Sequence, residues 1–150
     1  MSRYAEDTKV PKEKTMGEIQ STLHKYGANN IAWFQGEDKA GLVFEMLNRR
    51  LKFLMVYPPI NNSVRTKNGR WRDEDQQRKH HEQLIRQKWR ALLLTIKAKL
   101  ESSESGIETF EEAFMANIVM PNGQTMSEWA TPQINQCYEN GKMPPLLQGF

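Results

Sequence analysis

Few side chains in this 150-residue sequence have the types and spacing that acid–base or nucleophilic chemistry needs. The densest polar group is His80-His81-Glu82, but adjacent residues on a helix point about 100° apart, so the two imidazoles cannot share one metal ion. His24 stands alone, and three such histidines support no Ser–His–Asp arrangement. Cys137 is the single cysteine, which excludes an internal disulfide and a cysteine-cluster metal site. The sequence therefore predicts a protein that is not an enzyme and needs no cofactor.

Basic side chains form the clearest chemical pattern, because they concentrate in one part of the chain. Residues 64–100 contain 11 basic and 4 acidic side chains, a net charge of +7. Residues 101–150 contain 1 basic and 7 acidic side chains, a net of −6, and residues 1–63 contribute +2. A basic block of this kind favours a polyanionic ligand, an acidic partner or an ordinary solvated surface.

The basic block divides into a loop and a helical strip. The loop carries Arg65, Lys67, Arg70, Trp71 and Arg72. On a helical wheel, a second set of cations falls within an arc of about 40°, namely Lys79, Arg86, Arg90 and Lys97. Phosphates would relieve the repulsion within such a strip, and an indole among arginines is suited to stacking on an unpaired base. These nine residues are the predicted nucleic-acid-binding site, with single strands favoured. Pairing of the strip with the acidic C-terminal third, within a monomer or across a homo-oligomer interface, is the alternative.

The helix that carries the strip is predicted over about 74–103 and has a second, apolar face. That face occupies an arc of about 100° and consists of Ile85, Trp89, Leu92, Leu93, Ile96 and Leu100. A face of this width is typical of a helix that packs on a core. We expect it to cover the apolar side of a sheet.

The elements before the long helix are predicted to be one helix and three strands. Thr15-Met16-Gly17-Glu18 matches a capping box, and Gly27 is a natural stop, so the first helix is predicted over about 15–26. A strand is predicted over 31–35. The next two strands are predicted to meet in a hairpin with its turn at Asn48-Arg49. That register pairs Phe44 with Phe53, Leu42 with Met55, Met46 with Leu51 and Glu45 with Lys52.

Two or three short helices are predicted after the long one. Capping boxes at Thr109 and Thr125 each open a helix, the first over about 110–119, and Thr131-Pro132 favours a fresh start within the second. Gly141 is the predicted stop. In the helix that restarts at Pro132, the residues expected to face inward are Ile134, Cys137 and Tyr138. Residues 142–150 are predicted to be an extended tail that packs back or serves as a peptide for a partner.

The element order is therefore α-β-β-β-α-α-α, which predicts an α+β fold. A three-stranded antiparallel β-meander, at about 31–57, is expected to carry the long basic helix across one face. Residues 1–14 are predicted to be a flexible segment, and 15–150 a single domain. No apolar run approaches 18 residues and the N-terminus lacks a signal-peptide pattern, so we expect a cytoplasmic protein with no membrane partner.

The chain resembles a family of small uncharacterised proteins encoded by bacteriophages and prophages. The resemblance spans roughly residues 10–147, and it rests on TMGEIQSTLHKYGA, QKWRALLLTIKAKLESSESGIETFEEAF and VMPNGQTM, and on Arg65, Thr66, Gly69, Arg70, Trp89, Arg90, Ala91, Lys97, Ala98, Lys99, Gly106, Phe110, Glu112, Pro121, Gly123, Met143 and Pro144. It implies a phage-linked role in the host cytoplasm. The element order alone is similar to that of phage single-strand annealing proteins, which is an analogy of fold.

Three hypotheses follow. The first is a phage-type protein that binds single-stranded DNA in replication or recombination, suggested by the basic block and Trp71. The second is a protein-interaction module that acts as an inhibitor or adaptor of a host complex, suggested by the charge division and by apolar residues on the second face of the sheet. The third is a self-assembling structural protein whose basic and acidic parts pair head to tail.

Overall fold

The structure is a computed structural model that describes residues 3–143. Its helices and strands are, in chain order, α1 (Lys12–Lys25), β1 (Asn29–Gln35), β2 (Lys39–Met46), β3 (Arg49–Val56), α2 (Glu74–Glu104), α3 (Phe110–Phe114) and α4 (Met126–Asn140). Two short 3-10 turns lie between them, at Ile60–Ser63 and Met115–Asn117. The predicted α+β fold is confirmed: an N-terminal helix, a three-stranded sheet, a long helix and further C-terminal helices.

The three strands form the predicted antiparallel meander, in the order β1-β2-β3. The β2–β3 turn falls one residue earlier than predicted, at Leu47-Asn48, where φ is +49° and +61°. Turn propensity does not choose between the two positions, because either turn places a residue other than Asn or Gly in the left-handed region. The observed register sets Glu45 opposite Arg50, with the two side chains 3.4 Å apart. The predicted register is wrong by two positions, which leaves every side chain on its predicted face. The observed pairs include Leu42 with Phe53, Phe44 with Leu51, Glu45 with Arg50 and Met46 with Arg49.

The core lies between one face of the sheet and α2. The predicted apolar arc of the helix is confirmed, since Trp89, Leu92, Leu93, Ile96 and Leu100 are buried and Ile85 is partly buried. They join the buried sheet residues Leu42, Phe44, Leu51 and Phe53 in one cluster. The indole Nε1 of Trp89 donates to the hydroxyl of Tyr57 at 3.0 Å, so the buried polar atom of the largest core side chain has a partner. The helix itself begins after a capping box formed by Asp73 and Gln76.

The first helix starts earlier than predicted. It begins at Lys12, directly after Pro11, and Thr15 is a fully buried residue inside it rather than its N-cap. The predicted capping box at Thr15 is therefore wrong, because Pro11 fits the extended backbone that precedes a helix. Residues 3–11, predicted to be flexible, lie along α2, where the amide of Gln83 donates to the carbonyls of Glu6 and Thr8 at 3.0 and 2.7 Å.

The third helix is shorter than predicted. Thr109 and Glu112 form the predicted capping box, but the helix ends at Phe114 instead of about 119. The chain then returns to the sheet, where Ile118 bridges to Leu51 and the Val119 amide donates to the Arg50 carbonyl at 2.8 Å. Pairing with the edge of β3 satisfies backbone groups that a longer helix would have satisfied internally.

The last helix is one continuous element from Met126 to Asn140, so the predicted fresh start at Thr131-Pro132 is wrong. Thr125 is its N-cap and Gly141, with φ of +66°, ends it, as predicted. No residue of α4 is buried. The expectation that its apolar residues face inward is wrong for Ile134 and Tyr138, which are exposed, whereas Cys137 is half-buried.

Within residues 3–143, no helix combines the length and apolar character that crossing a bilayer requires. The extended conformation predicted for 142–150 falls mostly on 144–150, outside the described residues.

Candidate nucleic-acid interface

The loop that contains five of the predicted site residues is a small hairpin over 64–72. Backbone amides join its two sides: Arg72 N donates to Val64 O and Thr66 N donates to Arg70 O, both at 2.8 Å. Gly69 closes the turn with a φ of +82°, a conformation that glycine adopts without steric cost. The predicted turn at this glycine is confirmed. The hairpin therefore presents its side chains from a backbone of fixed geometry.

Trp71 and Arg65 form a stacked pair on this hairpin. The two residues lie opposite each other in an antiparallel bridge, and the Arg65 guanidinium sits 4.1 Å from the centre of the indole. Trp71 is 69% exposed, the most of any tryptophan in the chain. A cation on one face of an indole holds the ring in place and leaves the other face for a second stacking partner. The structure brings these two predicted residues together.

Arg72 points into the hairpin instead of toward solvent. One of its terminal nitrogens donates to the carbonyl oxygens of Ser63 and Arg65, at 3.1 and 2.7 Å. This side chain therefore fixes the base of the hairpin, which is a supporting role that the sequence did not indicate.

Two histidines brace the chain that leads into the hairpin. Nδ1 of His80 lies 2.8 Å from the hydroxyl of the fully buried Ser63, and Nε2 of His81 donates to the carbonyl of Pro58 at 2.8 Å. Burial, with smaller contributions from the charges of Arg72 and His81, lowers the pKa of His80 below its ordinary value. Their adjacency in sequence gave no sign of this role, because both partners lie in the segment before the hairpin.

The hairpin tip carries two exposed cations. Lys67 pairs with Glu6 of the N-terminal segment at 2.9 Å, and this hydrogen bond holds the pKa of the Glu6 carboxyl below its usual range. Arg70 is exposed and has no acidic side chain within 4.0 Å among residues 3–143. Arg70 can therefore bind an external anion directly. Lys67 can bind one if that anion replaces the Glu6 carboxylate.

The predicted helical strip is not a row of unpaired cations. Arg90 is only 20% exposed and bonds to Glu18 at 2.9 Å and to the Thr15 hydroxyl at 3.3 Å, both on α1. Arg86 is partly buried, with one terminal nitrogen on Gln83. The sequence could not show this, because α1 docks onto the strip from more than 70 residues away.

The other two residues of the strip are exposed. Lys79 pairs with Asp75 on the preceding turn at 3.0 Å, and that contact is the first cause of a lowered pKa of the Asp75 carboxyl. Lys97 has no acidic side chain within 4.0 Å in the described part of the chain. The premise of four aligned, unpaired cations is therefore wrong for Lys79 and Arg90, which have acidic partners. Arg86 and Lys97 have none within 4.0 Å in the described residues, and the buried Nε of Arg86 has no hydrogen-bond partner there.

A groove of about 540 Å³ runs along a different face of α2 and was not predicted. It is lined by Pro58 and Asn62, which precede the hairpin, and by His80, Leu84, Gln87, Lys88 and Ala91 of the helix, together with Arg3. Lys88 and Arg3 are exposed cations without an acidic partner within 4.0 Å in the described residues. Sequence reasoning missed them because Lys88 lies outside the 40° strip and Arg3 lies in the segment predicted to be flexible.

The acids of the C-terminal third do not neutralise the basic residues of α2 in the described residues. The ion pair that they do make joins Glu111 to Arg49 of β3 at 3.9 Å. The partners of Arg90 and Lys79 are instead Glu18 and Asp75. Internal pairing with the acidic third, the alternative from the sequence, is wrong within this part of the monomer.

No set of three or more His, Cys, Asp or Glu side chains is arranged to hold a metal ion in residues 3–143. Comparison of the chain with protein-family models, with curated proteins and with solved structures finds no match in any of the three.

Proposed function

We propose that this protein binds nucleic acid without transforming it, and that single-stranded DNA is its preferred ligand. The observation that carries the proposal is Trp71, whose indole is 69% exposed on a hydrogen-bonded hairpin with Arg65 stacked against it at 4.1 Å. Bases in a single strand expose their faces, and stacking on an aromatic side chain is tolerant of sequence.

Charge around the indole supports the same ligand. Lys67 and Arg70 lie near it on the hairpin, and Lys88 and Arg3 line the groove beside Pro58 and Asn62, in the segment that leads into the hairpin. A strand with one base on Trp71 would have cations available for its phosphates on either side. The interface proposed is therefore the hairpin and this groove, and it leaves out Arg72 and Arg90, whose guanidinium groups are engaged inside the fold.

The resemblance to phage proteins supports a setting for this activity. We infer a role in phage replication or recombination, in which exposed single strands arise. The helix-over-meander order shared with single-strand annealing proteins is consistent with that setting and adds no residue-level support.

Fluorescence anisotropy with a labelled oligonucleotide of about 16 nucleotides, and with a duplex of the same length, tests the proposal. We expect tighter binding of the single strand, and a loss of affinity as salt rises between about 50 and 200 mM. Trp71→Ala should weaken binding by about 5- to 150-fold, the range for loss of one stacked base, and Trp71→Phe should restore most of it.

Charge variants separate the interface from general attraction. Arg70→Ala should reduce the slope of log affinity against log salt by about 0.7, the value for one phosphate contact with a single strand. Lys25→Ala removes one exposed positive charge from the end of α1 and serves as the matched control, with the slope unchanged. Absence of binding at the lowest salt would refute the proposal, and equal affinity for the duplex would refute the preference for single strands.

A further inference from the structure

The face of the sheet that points away from the core has an exposed apolar patch at one end. Phe34, Leu54 and Val56 lie on it and are 52%, 50% and 61% exposed. Gly41 pairs with Phe34 on one side and with Leu54 on the other. Phe34, Gly41 and Leu54 therefore form one row across the strands. A Cβ at Gly41 would lie 3.8 Å from Phe34 Cβ and 3.9 Å from Leu54 Cδ1. The missing side chain leaves a trough between two apolar ridges.

Helix α4 is the second uncovered element. None of its 15 residues is buried, and it packs mainly on the 3-10 turn at Met115–Asn117. Ile134 and Tyr138 lie one turn apart on the same side and are 51% and 88% exposed. An isolated helix of about 15 residues is marginal in water. A surface that covers its apolar side would stabilise it.

The open sheet face has a net positive charge, because Glu45 on it is balanced by Arg50 at 3.4 Å, whereas α4 has a net negative charge. Lys39 and Lys52 lie on the open sheet face, and neither has an acidic side chain within 4.0 Å in the described residues. From Met126 to Asn140, α4 contains Glu128 and Glu139 and no basic residue. An acidic amphipathic helix suits an apolar sheet face with basic residues at its margin.

The two surfaces also lie next to each other on the molecule. Leu54 and Lys52 line the same small groove as Ser127 and Glu128, at the start of α4. The helix then continues without burying the sheet face of its own chain. A twofold axis near this groove would bring each α4 over the sheet of a second copy, and one isologous contact would cover both surfaces.

We propose that two copies of the chain form an isologous dimer in which α4 of each copy lies across the outer sheet face of the other. Ile134 and Tyr138 are the apolar anchors, and the trough at Gly41 between Phe34 and Leu54 receives them. The dimer contact includes neither the hairpin nor the groove along α2. A test of the dimer is therefore independent of a test of nucleic-acid binding.

Sedimentation equilibrium of the nuclease-treated full chain, at about 1 to 200 µM, tests the proposal. We expect a mass twice the 17.5 kDa of one chain. Tyr138→Glu should raise the dimer Kd by more than about 100-fold, because an aromatic anchor is lost at both halves of the contact. Gln136→Glu adds the same charge on the opposite side of α4 and should leave the dimer intact.

A mixing experiment identifies which surfaces meet. Leu54→Glu should also give monomers, and Val56→Glu is the substitute if that variant fails to fold by circular dichroism. Mixing the Leu54→Glu and Tyr138→Glu proteins should restore a weaker heterodimer, since the helix of the first can still bind the sheet of the second. A monomeric wild-type chain, a dimeric Leu54→Glu or Tyr138→Glu protein, or a mixture that stays monomeric would each overturn the proposal.

Discussion

Replacing Arg90 with methionine separates its role in the fold from a role in binding. The substitution keeps an unbranched apolar stem on α2 and removes the guanidinium that contacts Glu18 at 2.9 Å and Thr15 at 3.3 Å. The side chains of Arg90 and Glu18 are 20% and 35% exposed, so this ion pair is intermediate between a surface pair and a buried one.

The expected loss follows from that intermediate burial. Exposed pairs contribute about 0–1 kcal/mol, and breaking a fully buried pair costs about 3–5 kcal/mol. Arg90→Met also leaves the buried hydroxyl of Thr15 without this donor. We expect the free energy of unfolding to fall by about 2 kcal/mol, which corresponds to about 4–8 °C in Tm for a domain of this length.

Urea unfolding and the oligonucleotide assay, run on the same protein, give the two readouts. Lys97→Met is the control, because Lys97 is exposed on the same helix, and its effect on stability should stay within about 0.5 kcal/mol. Arg90→Met should leave the affinity for single-stranded DNA and its salt dependence unchanged. Unchanged stability together with weakened binding would refute a structural role for Arg90. Arg90 would then belong to the nucleic-acid interface.

Two further substitutions test the hairpin support and the core. The lowered pKa of His80 means that the folded protein favours its neutral form; this stabilisation is present above the unfolded pKa of about 6.5 and is lost as pH falls through the folded value. His80→Gln should therefore reduce the drop in urea midpoint between about pH 8 and 5. An unchanged pH profile would contradict the role of neutral His80 in supporting the hairpin. Phe114 is fully buried and its ring is perpendicular to that of Phe53. Phe114→Ala should therefore cost about 3–5 kcal/mol by denaturant unfolding, and a loss below about 1 kcal/mol would contradict its place in the core.

The sequence predicts the fold where a pattern repeats over many residues. The apolar arc of α2 extends over several turns, so one misassigned residue could not change its direction, and its buried face was predicted correctly. The predicted pairing of β2 with β3 was wrong by two positions. The two-residue period of a strand nevertheless kept Leu42, Phe44 and Phe53 on the core face.

Short motifs gave mixed results, because the same pattern occurs in different surroundings. Thr109 and Glu112 form a capping box, whereas the equivalent pattern at Thr15 and Glu18 lies inside a helix that had already begun after Pro11. In that helix, the Thr15 hydroxyl and the Glu18 carboxylate both accept hydrogen bonds from Arg90. A window of a few residues does not contain a partner from a distant helix.

The candidate site shows the same limit. The sequence could predict the turn at Gly69 and the exposure of Trp71, because both are features of a local hairpin. Arg72 is engaged by the carbonyls of Ser63 and Arg65, a contact that a pattern of residue types does not reveal. The groove beside Lys88 depends on how residues 58–62 and the N-terminal segment lie against α2. Of the nine residues predicted, the four exposed ones on the hairpin keep the character that binding requires, and two more stay exposed on α2; they are Arg65, Lys67, Arg70 and Trp71, and Lys79 and Lys97.

The pairing of a local meander with a distant covering helix has a consequence for synthesis on the ribosome. Strands β1 to β3 pair through neighbouring turns and are complete once Val56 has emerged, but the helix that covers their core face ends at Glu104. At about 5–20 residues per second, several seconds pass before that helix is available. Throughout that interval the apolar core face of the meander is open, and α1 has no α2 to pack on. The meander is therefore the part of the chain for which a chaperone would matter most.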